Sequence, residues 1–298
     1  MEARDEGIHE YPKPLDQHWK ENWYFNFIDR KNHAWGVNHV SLIRLKQQGR
    51  FSTFHVIDGE VLLYSNLIDL TDDFQELTDG KLRFEFLEPF QKFRVTFTGP
   101  RHQVEINYSA RFPVFDYAQT RRPGKHKALA LNHYEQALWA KGTVTKGGKT
   151  RPIECFGHRD HSWGYRNESK ISAWNWAAVQ FPDKTINLSR VMVGKAFMGQ
   201  GFVSTSQGNT RISRVNVEDT QFQNNVPASS VFTGYDEKGK IWKLKSEKFS
   251  GLFLPMTEKG KGVVIHENFS DYTLLDTGEK GVGIDEYLIN PEMGKGEE

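Results

Sequence analysis

The chain has 298 residues, enough for a sizeable core and, at roughly 150 residues per domain, for about two domains. Its 39 Lys and Arg balance 38 Asp and Glu to a net charge of +1, which removes the electrostatic case for nucleic acid or an anionic membrane as partner and favours a small molecule. One cysteine, Cys155, excludes an intrachain disulfide; with a charged start at Met1–Glu6 and no apolar run of about 18 residues, a cytoplasmic protein without membrane insertion is expected.

After a polar, Pro-containing stretch to about residue 20, Trp23, Phe25 and Phe27 alternate with Tyr24 and Asn26 in the pattern of a first β-strand. Val37 to Leu45, Gly49 to Ile57 and Glu60 to Asn66 follow as strands, the last two split by the hairpin turn Asp58-Gly59. A polar interlude, Asp69 to Thr78, with room for one helical turn, leads to Lys81–Leu87, where Leu82, Phe84 and Phe86 share a face. Phe93, Val95 and Phe97 repeat the alternation, and Val104, Ile106, Tyr108, Ala110 and Phe112 repeat it again. One wet face per strand is the mark of an antiparallel barrel or sandwich.

From Pro113 to about Leu131 the period lapses. The basic run Arg121-Arg122-Pro123-Gly124-Lys125-His126-Lys127 reads as a solvated linker, so two domains are expected, 1–122 and 123–298. The second half restarts at His133–Trp139, passes the Lys146-Gly147-Gly148-Lys149 turn, and runs on through Ala173 to Phe181, Thr185 to Val193 and further short strands to Gly281–Ile289. No long helix interrupts them. The expected fold class is all-β, two tandem antiparallel barrels, with 21 Phe, 10 Tyr and 8 Trp to fill the interiors.

The densest chemistry is Gly157-His158-Arg159-Asp160-His161-Ser162-Trp163-Gly164-Tyr165-Arg166. On a strand, Arg159, His161, Trp163 and Tyr165 share one face, and His158, Asp160, Ser162 and Arg166 the other. The first face offers an imidazole among aromatic rings and a cation; the second offers Asp160 to pair with Arg166 or His158. A buried ion-pair network that merely locks the strand is the competing reading. His158-x-x-His161 invites a metal, but residues three apart on a strand point to opposite faces, and no metal site is expected. Cys155 lacks a neighbouring charge to stabilise a thiolate and reads as core filler. No Gly-x-Ser-x-Gly, Gly-x-Gly-x-x-Gly or phosphate-binding loop occurs, so acid–base chemistry without a cofactor remains, with His133 and Glu135 on one strand face and Trp174 and Trp176 on another as further contributors.

Asp160-His161-Ser162-Trp163-Gly164-Tyr165-Arg166 resembles the signature of the carotenoid hydratase (hydroxyneurosporene synthase) superfamily of tandem lipocalin-like proteins, in its uncharacterised branch. Glu21–Phe27, Phe84–Pro89, His133–Gln136 and Gly283–Tyr287 carry the resemblance across nearly the whole chain. It implies lipocalin-like barrels and a lyase or isomerase, hydratase-like or cyclase-like, acting on a hydrophobic, terpenoid or polyene-like molecule. The alternative is a carrier of hydrophobic ligands. His161 and Trp163 match the family's motif pair, whereas its Tyr-x-Asp pair falls by count at Leu188 and Arg190. In this reading Asp160, His161, Tyr165 and Glu135 carry the proton chemistry, with Asp160 setting the His161 tautomer. Arg159, Trp163, Trp174, Trp176, His133 and Arg166 bind substrate.

Overall fold

The computed structural model describes residues 1–11, 14, 18–120, 132–166, 171–193, 196–258 and 261–289. Two compact units emerge, Met1–Arg166 and Asn167–Glu298. Among the described residues the helical pieces are short 3-10 turns, and no helix is long and apolar enough to cross a membrane. The expected tandem all-β fold is present.

In the first unit, β1 (Trp19–Asp29), β2 (Ala34–Ile43), β3 (Gln48–Ile57) and β4 (Glu60–Asp69) form a meander, and β5 (Leu82–Glu88), β6 (Lys92–Thr98) and β7 (His102–Ala110) a second. They are joined into one antiparallel sheet by the long hairpin β9 (Asn132–Lys146) and β10 (Lys149–Tyr165), in the order β4-β3-β2-β1-β10-β9-β7-β6-β5; the two-residue β8 (Phe115–Asp116) adds to β9. The hairpin turn at Asp58-Gly59 has positive φ at both residues, as its type requires. The sheet curls around Trp23, Phe25, Phe27, Phe51, Phe93, Ile106 and Leu138. Segment 70–79 spans the gap between the edge strands: Leu77 accepts from the Phe84 amide at 2.9 Å, and the Asp79 carboxylate takes the Tyr64 hydroxyl at 2.5 Å.

The domain border expected between 122 and 123 is therefore corrected to 166/167. β10 pairs with β1 from Trp19–Tyr165 to Ile28–Phe156, and β9 with β7, so the motif strand is the middle of the first sheet. The lapse in periodicity marked a connection within a sheet; its basic run, 121–127, lies outside the described residues. Gly157 sits where strands crowd, since a Cβ there would fall 2.7 Å from the Asn26 carbonyl oxygen and 2.9 Å from the Tyr108 ring. Gly157→Ala is expected to cost about 1–3 kcal/mol, read from the urea midpoint.

A pair of imidazoles lies inside this core. His55 Nδ1 is 2.8 Å from His102 Nε2, and His55 Nε2 is 3.1 Å from Asn38 Oδ1. Burial first, then the other ring, holds His55 well below its ordinary pKa; burial and the nearby Arg101 and Lys146 bring His102 down to about 4. Both are neutral in the fold, while the unfolded chain takes up protons near pH 6.5. Stability is therefore full above about 6.5 and is lost as pH falls toward 4, by about 3 kcal/mol for His102 at 1.36 kcal/mol per unit. Urea unfolding at pH 7 and pH 4.5 checks this; a His102→Gln variant should lose less over the same interval.

The second unit is a closed antiparallel barrel of β11 (Ala173–Gln180), β12 (Lys184–Val193), β13 (Ala196–Thr205), β14 (Gly208–Gln223), β15 (Val226–Asp236), β16 (Ile241–Glu258), β17 (Lys261–Leu274) and β18 (Lys280–Ile289), sealed by pairing of β11 with β18. Its interior is filled by Val179, Ile186, Leu188, Phe232, Leu244 and Tyr272.

Candidate functional site

Strand parity divides the central motif as expected, and the two faces have different characters. On the inner face Arg159, 1% exposed, donates to both oxygens of Glu6 at 2.7 and 2.8 Å and to Gln136 Oε1 at 2.9 and 3.1 Å, with its guanidinium 4.0 Å over the Phe93 ring. His161 is also buried, with Nε2 3.0 Å from Glu21 Oε1, and Nδ1 3.1 Å from the Tyr134 hydroxyl and 3.0 Å from the Asp5 carbonyl. Burial lowers the His161 pKa, the Glu21 carboxylate opposing only in part; burial alone would raise that of Glu21, but His161 and His9 outweigh it and hold Glu21 below the usual range. With its proton on Nε2, His161 donates to Glu21, while Nδ1 faces the Tyr134 hydroxyl, whose one proton is shared with the Glu6 carboxylate and the Asp5 carbonyl. His9 Nδ1 lies 2.6 Å from the same Glu21 oxygen, and its ring stacks on Trp163 at 3.9 Å. Both nitrogens of His161 are thus engaged.

The opposite face is more open. Here β9 brings His133 and Glu135, and β10 brings His158 and Asp160, with Glu135 directly across from Asp160. His133 Nε2 is 3.3 Å from Glu135 Oε1 and 3.4 Å from Asp160 Oδ2, and the His133 and Asp160 side chains are 25% and 24% exposed. Glu135 is fully buried, its other oxygen 2.7 Å from His158 Nε2. The Tyr117 ring, just after β8, stacks on His133 at 4.5 Å with 4° between planes, and its hydroxyl meets Glu135. Burial would depress His133, but Asp160 and then Glu135 outweigh it and its pKa is raised. Burial would raise Asp160, but His133, Arg166 and His39 bring it below the usual range. An imidazole whose buried Nε2 is poised between two carboxylates, on a partly exposed side chain, can give or take a proton.

The family model for a domain of unknown function (DUF7064) matches residues 2–291. The chain belongs to that family. No curated protein sequence matches it. Among solved structures, a Nitrosomonas europaea protein named as an AttH (NE1406) superposes with a TM-score of 0.73 at 11% identity, over 95% of this chain and 94% of its own. CghA, solved with Sch210972, gives 0.67 at 12% identity over 93% and 89%. Kievitone hydratase from Nectria haematococca gives 0.62 at 12% identity over 92% and 90%. At these identities the likeness is one of fold.

The sequence-derived site is therefore split. Asp160, Glu135 and His133 come together; His161, Arg159 and Trp163 lie on the inner face. Asp160 does not set the His161 tautomer, because adjacent strand residues diverge; Glu21, the acceptor facing Nε2, does so. Arg159 is committed to Glu6 and Gln136, which corrects its expected role on substrate. Tyr165 ends β10 with its ring edge-on to His18 at 5.3 Å. Arg166 donates its amide to the His18 carbonyl at 2.8 Å, and its charge bears on Asp160 rather than forming the expected motif pair with it. Trp174 and Trp176 belong to β11 of the second unit, Trp174 donating to Glu286. Glu6, His9, Tyr117 and Tyr134 were missed, and His158, expected as a partner of Asp160, holds Glu135 instead. Glu21 had a legible signal, since its parity places a carboxylate with Trp23, Phe25 and Phe27 on a buried face.

Proposed function

We propose that the chain is an enzyme of the hydratase or cyclase kind, a lyase or isomerase that moves a proton on a hydrophobic small molecule at the face carrying His133, Glu135 and Asp160. The observation that carries this reading is an imidazole nitrogen placed 3.3 and 3.4 Å from two carboxylate oxygens, on a side chain that keeps a quarter of its surface exposed. His133 and Asp160 exchange the proton, while Glu135, held by His158 and Tyr117, keeps the imidazole in place. The fold shared with kievitone hydratase and with CghA, the latter solved with Sch210972, supports the reaction class and an organic substrate. A terpenoid or polyene is the substrate class that the sequence resemblance favours.

A carrier that holds its ligand inside a barrel is the weaker reading. Two of the cavities among the described residues, one beside Tyr64, Phe97 and His102 and one beside Pro227 and Lys248, measure about 170 and 190 Å³. Pockets for drug-sized ligands run about 300–1,000 Å³. The test is untargeted: incubate the protein with apolar metabolite extract and follow masses. A gain or loss of water, about 18 mass units, or an isomer at unchanged mass, supports the reading; bound but unaltered ligand would instead favour the carrier.

A further inference from the structure

We propose that His133, Glu135 and Asp160 form a binding site for a first-row divalent cation, with zinc the best fit. Such a site rests on the reading of this face as the functional one; an ion on the His133 nitrogen takes the place of the proton that His133 and Asp160 exchange, so the two states alternate, and cation binding is measurable without any reaction. A tetrahedral zinc with bonds of about 2.0–2.1 Å sets its ligand atoms about 3.3–3.4 Å apart. The His133 nitrogen stands 3.3 and 3.4 Å from the two carboxylate oxygens, and all three ligand atoms lie within 4.8 Å of one another. An ordinary N–H···O hydrogen bond is shorter, about 2.9 Å. His133 Nε2 is buried between the two oxygens, at distances long for a hydrogen bond to either. The other trio of ligand-type groups, His9, Glu21 and His161, contrasts with it: its atoms meet at 2.6 and 3.0 Å, as hydrogen-bonded groups do.

The surroundings match those of a metal site. Ligating carboxylates and imidazoles are usually fixed by outer partners, and here His158 holds the second Glu135 oxygen while Tyr117 meets the carboxylate and stacks on the His133 ring. Two carboxylates neutralise a divalent charge, and one imidazole favours zinc over magnesium. The partial exposure of His133 and Asp160 gives the ion an entry path and leaves a coordination position for water or substrate.

Calorimetric titration of the metal-stripped full chain with Zn²⁺ at pH 7 tests the site, with Mg²⁺ as contrast. One Zn²⁺ per chain is expected and no Mg²⁺ binding at the same concentrations. Asp160→Asn and His133→Ala should each weaken Zn²⁺ by more than about 100-fold, and Tyr117→Phe by about 10-fold, as for an outer partner. His9→Ala should leave binding unchanged. Asp160→Asn conserves side-chain volume, so a folding defect in His133→Ala leaves the test intact; melting curves identify such a defect. No stoichiometric binding overturns the proposal, as does binding that survives both variants or is lost in His9→Ala. Zinc held by these residues with turnover indifferent to their loss would sink the functional reading and leave the site. Turnover lost in the variants of a protein that never takes zinc would do the reverse.

Discussion

Replacing His133 by alanine is expected to lower turnover by about two to four orders of magnitude, the range lost with a general acid or base, while the melting temperature stays within a few degrees of the parent. The separation follows from exposure: His133 keeps a quarter of its side-chain surface accessible against 1% for His161, so its removal leaves the smaller void. Asp160→Asn should follow it in turnover, because Asp160 is the partly exposed partner of the same nitrogen. His161→Ala should behave in the opposite way. Its loss leaves the buried Glu21 carboxylate with His9 alone and opens a hole beside Trp23, whose ring stacks on His161 at 4.5 Å. The melting temperature should fall by several degrees, and turnover per folded molecule should change less than in His133→Ala. Steady-state rates on the substrate found by mass, corrected for folded fraction, decide between the two histidines. A His161→Ala protein that melts like the parent but has lost turnover would return the proton chemistry to the inner face.

The alternation of apolar residues made the strands legible, and the parity of 158–166 was legible with them, because both depend on local period alone. What parity could not supply was the identity of the neighbours across the sheet. Glu21 meets His161, and Glu135 meets Asp160, through pairings that span 140 and 25 residues. The border at 122/123 failed for the same reason: the β9–β10 hairpin looked like the start of a new domain until its pairing with β1 and β7 was known. Glu6 gave no signal at all, since it lies in a short polar turn, Ala3–Glu6, whose burial is created by Arg159 from the other end of the unit.

Arg159→Met is expected to destabilise the protein by about 3–5 kcal/mol in urea unfolding at pH 7, the cost of removing one partner from a buried ion pair. The guanidinium makes paired bonds to Glu6, shares Gln136 Oε1 through two further donors, and lies over Phe93. Without it, Glu6 keeps only the Tyr134 hydroxyl at 3.1 Å and the Phe90 amide at 2.8 Å, too little to satisfy a buried carboxylate. Arg159→Lys should recover little, since a point ammonium cannot make the forked contact. The double change Glu6→Gln with Arg159→Met separates the causes, because it removes the stranded charge while leaving the lost stacking on Phe93 unrepaired. Recovery of half or more of the loss would assign it to the uncompensated carboxylate; a double variant no more stable than Arg159→Met would assign it to packing. In either case Arg159 ties the carboxylate of the 3-10 turn to β10. The turn's backbone also presents the Asp5 carbonyl to His161, so the ordering of the N-terminal segment and of the inner-face histidine should be lost together.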